Sequence, residues 1–244
     1  MLKKYSFIGL VFVLLVVAAV IFGVFTRSVT PENSNQNQQN FTFKTTEAMN
    51  LPNPVTDGAM SLEKALTLRR SIRSYTEEPL NIKEISQLLW SAQGVTNERG
   101  FRTAPSAGAT FPLEMYLVVN FSDDLEPGFY HYNPDDHSIK LIREGSFGDD
   151  LARASHGQSM LRDASVVLVF GAVFERTTDR YGERGIRYVY NEIGHASQNV
   201  HLQAAALDLG TVVIGAYVDE EAESILDLGD EVNVLYMMPV ANIQ

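Results

Sequence analysis

Three stretches of this 244-residue chain carry side chains whose types and spacing could do chemistry. The first is Arg69-Arg70-Ser71-Ile72-Arg73-Ser74-Tyr75. Guanidinium forks beside a hydroxyl suit a phosphate, because each fork offers parallel N–H donors to two oxygens. An isolated cluster of this kind also suits a solvated helix end, where cations complement the C-terminal dipole. The charge of the whole chain favours the anion site. Of the 19 basic and 30 acidic residues, four and three lie before Ser61, which leaves a body of net charge −12. Three arginines gathered at one helix end stand out in such a body, which would otherwise repel phosphate backbones and so excludes general nucleic-acid binding.

The second stretch runs from Arg102 to Glu114, RTAPSAGATFPLE. Small residues between two prolines make a stiff loop that a flat ligand can approach closely, or a tight turn before a strand. The third is Ala204–Tyr217, AAALDLGTVVIGAY, where a long helical pattern ends near Gly210 and an apolar run reaches Gly215-Ala216. Ordinary helix–strand packing with glycine at a close contact explains it equally well.

Other chemistries are excluded. With no Cys there is no disulfide, thiolate metal site, cysteine nucleophile or lipidated cysteine. No G-x-G-x-x-G, P-loop or G-x-S-x-G occurs, and Ser155-His156-Gly157-Gln158-Ser159 reads as a loop after a helix. The five His form no metal set: His195 and His201 are six apart rather than four, and each reads as a structural or surface residue.

The elements that must position these stretches follow from pattern. Ser61 can cap a helix through Leu68, with Glu63 in its first turn. Asn81-Ile82-Lys83-Glu84 is a capping-box-like start, continued by apolar Ile85, Leu88 and Leu89 and stopped by Gly94. Leu113–Asn120 reads as a strand, Gly128–Tyr132 and Ser138–Ile142 as a hairpin, and Ser165–Phe174 as a strand covered on both faces. Tyr188–Leu209 is the longest helical pattern. Thr211–Val218 reads as a second buried strand, Glu220–Leu228 as a short helix and Val232–Val240 as a last strand. Strands and helices mix without a regular βαβ rhythm, which predicts an α+β fold.

Ahead of this body, Tyr5–Phe25 is uncharged for about 21 residues, enough for a helix to cross the hydrocarbon core. Lys3 and Lys4 precede it and Arg27 follows, which places the N-terminus in the cytoplasm and the body outside. A cleaved signal peptide is the competing reading, although no clean cleavage site follows. Thr30–Gly58, rich in Asn, Gln, Thr and Pro, reads as a flexible tether. The expected organisation is residues 1–27 as anchor or signal, 28–60 as linker and 61–241 as the folded domain. Asn40-Phe41-Thr42 and Asn120-Phe121-Ser122 match the glycosylation acceptor pattern.

In order, the three stretches resemble the FMN-dependent nitroreductase family, and most closely its SagB-type dehydrogenase branch. That branch has a similar R-x-S-x-R, a PSAGA-like loop and a helix close to NEIGHASQNVHLQAAAL. The resemblance implies an α+β nitroreductase-like fold, a mixed or antiparallel sheet flanked by helices, in a homodimer that binds FMN at the subunit interface. It implies that Arg69, Ser71 and Arg73, assisted by Arg70, hold the phosphate and ribityl chain. Pro105, Ser106, Ala107 and Gly108 would line the isoalloxazine edge from the other subunit. Val213, Ile214, Gly215 and Ala216 would lie along the ring, with a backbone N–H near Gly215 facing flavin N5. No protein general acid and no metal is implied.

The chain departs from the family in three ways. Ala109 and Phe111 replace polar loop residues of typical nitroreductases, the C-terminus Ala241-Asn242-Ile243-Gln244 lacks a basic residue, and no partner for azole formation is visible. The expected function is a membrane-tethered flavoenzyme working by ping-pong two-electron transfer. Its alternatives are a dehydrogenase acting on a peptide-derived azoline and a non-catalytic surface flavin binder.

Overall fold

The computed structural model describes residues 47–244. The apolar run Tyr5–Phe25 and the tether up to Thr46 lie outside the described residues. Among those described, no helix is long and apolar enough to cross a membrane.

The elements are β1 (Met49–Asn50), α1 (Leu62–Leu68), α2 (Ile82–Gln93), β2 (Leu113–Val119), β3 (Gly128–Asn133), β4 (Ser138–Glu144), α3 (Gly148–Ala154) and α4 (Met160–Asp163). After them come β5 (Val166–Ala172), α5 (Glu175–Tyr181), α6 (Arg184–Ala206), β6 (Leu209–Thr211), α7 (Asp219–Leu226) and β7 (Asn233–Asn242). The strands form one seven-stranded sheet in the order β1-β4-β3-β2-β5-β7-β6, every neighbouring pair antiparallel. The α+β architecture with helices on both faces matches the expectation.

Strand periodicity divides the interior in two. Leu113, Met115, Leu117 and Val119 of β2, with Val166, Leu168 and Phe170 of β5, face a core completed by α2 and α6. Tyr116, Val118, Val167 and Val169 face the other core, covered by Leu151 of α3, Leu161 of α4 and Leu226 of α7. Every residue of β5 is buried, as a strand sandwiched between two helical layers requires. The capping box on α2 is complete: Asn81 accepts from the Lys83 and Glu84 N–H groups, and Glu84 accepts from the Asn81 N–H at 2.9 Å.

Four expectations need correction. Thr211–Val218 is not a strand: β6 ends at Thr211, and beyond it only Ile214 pairs, with Met237, while Gly215 and Ala216 are exposed. The apolar run reflects burial of Val212 and Ile214 in the second core rather than continuous pairing. The tether does not extend to Gly58, because Met49 and Asn50 pair with β4, Leu51 is buried and Val55 exchanges hydrogen bonds with the Gln87 side chain at 2.8 and 3.0 Å. The long helix begins at Arg184 and ends at Ala206, a turn earlier at each end than its apolar stripe suggests, and the polar helix α5 before it has no such stripe. Asn120 is no open glycosylation acceptor: its amide donates to the Leu161 and Ala164 carbonyls at 2.9 and 2.8 Å.

Candidate active site

The arginine segment starts where α1 stops. Ser61 caps that helix by accepting from the Lys64 N–H at 3.2 Å, and the Arg69 N–H closes it on the Ala65 carbonyl at 2.9 Å. The chain then runs extended along the outer edge of β6. Ser71 and Thr211 form a parallel bridge, and the Ile72 N–H donates to the Thr211 carbonyl at 2.9 Å. The first and third sequence stretches are therefore neighbours.

Side chains alternate along this segment. Arg70 and Ile72 line a cavity of about 180 Å³ with His201, Asp208 and Thr211. Arg73 and Tyr75 line a second cavity of about 930 Å³ with Phe121, Ser159 and Arg162. Arg70 folds back on the helix end, donating to the Thr67 and Arg69 carbonyls at 3.0 and 2.8 Å. Among the described residues, none of Arg69, Arg70 and Arg73 forms an ion pair with a carboxylate. Beside them, Thr211 Oγ1 and His201 Nδ1 are buried without a hydrogen-bond partner. Burial, reinforced by the Arg69 charge, pushes the His201 imidazole down to about 4, so it is neutral at physiological pH. Unpaired cations beside orphaned polar atoms fit an anionic group of the phosphate kind.

The proline loop is built elsewhere. Val95 bridges Arg102, the Thr103 N–H donates to the Gly94 carbonyl at 3.0 Å, and Asn199 of α6 donates to the Thr103 carbonyl at 3.2 Å. Ala107–Ala109 form one 3₁₀ turn with Gly108 at φ 62°, held by Arg180 Nη1 donating to the Gly108 carbonyl at 2.9 Å. A Cβ on Gly108 would lie 2.4 Å from the Tyr181 hydroxyl and would push that side chain aside, and a left-handed φ there is easiest for glycine. Pro105 and Gly108 are exposed, and Ser106 and Ala107 are half-buried. Behind the loop sits Glu192 of α6, 2% exposed, with Oε1 unpartnered. Burial pushes its carboxyl up to about 7, against the stabilising influence of the Ser106 hydroxyl and Arg102.

In the third stretch, Gly215 and Ala216 are exposed and Val213 is half-buried. Ile214 does not join them: its side chain is buried in the second core, and its N–H and carbonyl both bond to Met237, at 2.8 and 3.0 Å. Gly215 lines a cavity of about 670 Å³ with Phe174, Tyr190, Tyr217 and Tyr236. Its N–H donates to no group among the described residues.

Within one chain the structure joins the arginine segment to the third stretch, whereas no hydrogen bond or ion pair links either to Pro105–Gly108. Glu192, behind the loop, and His201, behind the arginines, are separated along α6 by about 14 Å. Sequence reasoning missed the chemical position of both. Each falls on the apolar stripe of α6, Glu192 between Val189 and Ala196 and His201 next to Val200, and a titratable residue at a stripe position was the available signal.

Comparisons with known proteins agree with this architecture. MJ1384 of Methanocaldococcus jannaschii, named as a nitroreductase, is 47% identical over 181 residues, covering 74% of this chain and 90% of that protein. The microcin B17-processing protein McbC of Escherichia coli is 28% identical over 156 residues, covering 61% of this chain and 57% of its own length. A crystal structure described as a nitroreductase from Ralstonia eutropha superposes with a TM-score of 0.72 at 26% identity, over 82% of this chain and 91% of that one. Another, from Desulfovibrio desulfuricans in complex with FMN, shares the fold with a TM-score of 0.53 at 22% identity, over 74% and 85%. The nitroreductase family model itself matches residues 66–242, from inside α1 to the end of β7 and across all three stretches, and the chain belongs to that family of oxidoreductases.

Proposed function

We propose that this chain is an FMN-dependent oxidoreductase acting as a homodimer, with its domain tethered outside the cytoplasmic membrane by Tyr5–Phe25. The observation that carries this reading is the set of three arginines, none paired with a carboxylate among the described residues, in a body of net charge −12, with two buried polar atoms without partners next to Arg69 and Arg70. Bound FMN would supply reversible two-electron chemistry, accepting hydride from a donor and yielding it to an acceptor once the donor has left.

The chain's own residues have defined tasks. Arg69, Ser71 and Arg73, assisted by Arg70, hold the phosphate and ribityl chain. Val213, Gly215 and Ala216 give a low wall along the ring, and the free Gly215 N–H offers a dipole to charge gathering there. Pro105, Ser106, Ala107 and Gly108 are presented to the partner protomer. Leu62 and Leu66 of α1 and Ile186 and Tyr190 of α6 are exposed, which supports a homodimer that covers them. An external domain needs an electron donor other than a cytoplasmic nicotinamide, such as a membrane carrier.

The test is the visible spectrum and cofactor mass of the purified full-length chain. A yellow protein releasing FMN is expected. A preparation that stays colourless after incubation with FMN overturns the reading, and an intact protein oxidising NADPH in the cytoplasm overturns the orientation.

A second reading, oxidation of a peptide-derived azoline, is favoured by the likeness to McbC and to the trifolitoxin operon protein TfxC, 29% identical over 180 residues. It predicts a precursor peptide and a cyclising partner encoded nearby. Their absence would remove it.

A further inference from the structure

The cavity of about 670 Å³ beside Gly215 combines two kinds of surface that favour the same kind of guest. Its volume falls within the range of about 300–1,000 Å³ typical of small-molecule sites. Aromatic rings form its walls. The Tyr236 ring lies against the Gly215 backbone, where an added Cβ would meet its Cε1 and Cδ1 atoms at 3.1 and 3.4 Å. Phe174 and Tyr190 meet edge to face, with centroids 5.6 Å apart and planes at 63°. The Tyr217 hydroxyl donates to the Val234 carbonyl at 2.8 Å, which fixes that ring against β7. Burial, with Asp219 and Glu223 nearby, raises the Tyr217 phenol well above its ordinary value, so it is uncharged at physiological pH.

Carboxylates supply the charge. Asp219, Glu220 and Glu223 of α7 line the cavity, and among the described residues no Lys, Arg or His does. None of the three forms an ion pair among the described residues. Asp219 and Glu220 also complement the dipole in the first turn of α7. That role does not extend to Glu223, whose Oε1 accepts from the Asn233 amide and the Val234 N–H at 3.3 and 3.2 Å. Aromatic faces carry negative potential of their own, so rings and carboxylates both attract a cation and both repel an anion. Phe174, Tyr217 and Tyr236 are half-buried while Asp219 and Glu220 are exposed. Rings inside and charges at the rim suit a weakly hydrated, alkylated ammonium.

We propose that this cavity seats the flavin's reaction partner, and that the partner carries an alkylated ammonium held by the rings of Phe174, Tyr217 and Tyr236 and by the carboxylates of α7. The inference rests on the flavin reading above and deepens it by naming the substrate class. Gly215, whose N–H that reading turns toward the flavin, borders the same cavity, so a guest there lies beside the ring.

Choline is the probe, and 3,3-dimethylbutan-1-ol, which has the same shape without the charge, is its control. Both are titrated calorimetrically into the full-length chain at about 0.15 M salt, where general attraction to an acidic body is screened. Choline should bind about tenfold or more tightly than the alcohol. Tyr236→Leu should weaken choline about fivefold or more, while Tyr236→Phe, which keeps the π face, should retain it. Asp219→Asn combined with Glu220→Gln, both at exposed positions, should weaken it to a similar degree even if Tyr236→Leu folds poorly. With FMN bound, choline should shift the flavin absorption band. Equal affinity for choline and the alcohol, or choline binding unmoved by both Tyr236→Leu and the carboxylate pair, overturns the proposal, while FMN titration reports separately on the flavin reading. Choline bound in the cavity without any shift of the flavin band overturns the assignment to the reaction partner. A chain that binds choline in this manner yet takes up no FMN overturns the flavin reading and keeps the cation site.

Discussion

The carboxyl of Glu192, buried in α6, faces the Ser106 hydroxyl, which itself accepts the Phe111 N–H at 2.9 Å. A buried acid thus stands behind the loop that the flavin reading presents to the partner protomer. Its carboxyl is raised from the ordinary 4.5 to about 7, so the folded state holds the proton more tightly than the unfolded chain. The stability this contributes is complete below about pH 4.5 and is lost as the pH rises through 7, worth about 3 kcal/mol across that interval. Glu192→Gln should flatten the pH dependence of urea unfolding between pH 5 and 8 and raise stability at the alkaline end. Parallel pH profiles for the two proteins would contradict this.

Arg69 and Arg73 provide a direct test of the anion site. Replacing both by Ala should release the chromophore, since each charge-assisted hydrogen bond is worth about 1.5–3 kcal/mol and the pair therefore exceeds a hundredfold in affinity. Full yellow colour retained by the double variant would place the phosphate elsewhere.

Two glycines should respond in opposite directions. Gly108→Ala forces a left-handed residue into contact with Tyr181 and Arg180, and should cost about 1–2 kcal/mol from backbone strain alone. Gly194, inside α6, has open space around a would-be Cβ, so Gly194→Ala should gain about 1 kcal/mol in chemical unfolding of the isolated protomer. Equal effects at the two positions would refute the assignment of the loop as the constrained one.

Removal of residues 1–60 should destabilise the domain, because it strips β1 and Leu51 from the sheet edge and leaves Gln87 without the Val55 backbone. A loss of about 2 kcal/mol or more is expected relative to a chain beginning at residue 47, from one fully buried leucine and a broken hydrogen-bond pair. Identical urea midpoints would show that the segment contributes nothing.

Much of the fold was legible where local chemistry and packing agree. The Asn81 and Ser61 caps, the Gly94 stop and the apolar β5 lie where the sequence placed them, because caps and stripes are local signals. The third stretch misled because Val212 and Ile214 are buried by α7 and β7, and apolar runs record burial without recording pairing. β1 is two residues long and exists only because β4 offers an edge. Of the site, the arginines and the glycine-bearing turns could be read as residue types at short spacing. Glu192 and His201 offered only the signal of a titratable residue on an apolar stripe, since what sets them apart is a missing partner, which depends on residues far along the chain.

β1 is one edge strand of the sheet and the Arg69–Arg73 segment lies beyond β6 at the other margin, with β4, β3, β2, β5, β7 and β6 between them, a span of roughly 34 Å at about 4.8 Å per strand spacing. A force applied through whatever precedes Met49 would peel a two-residue zipper from the far rim first. The rim that carries Arg69–Arg73 would feel that tug last, so a pull at one side would leave the other side in place.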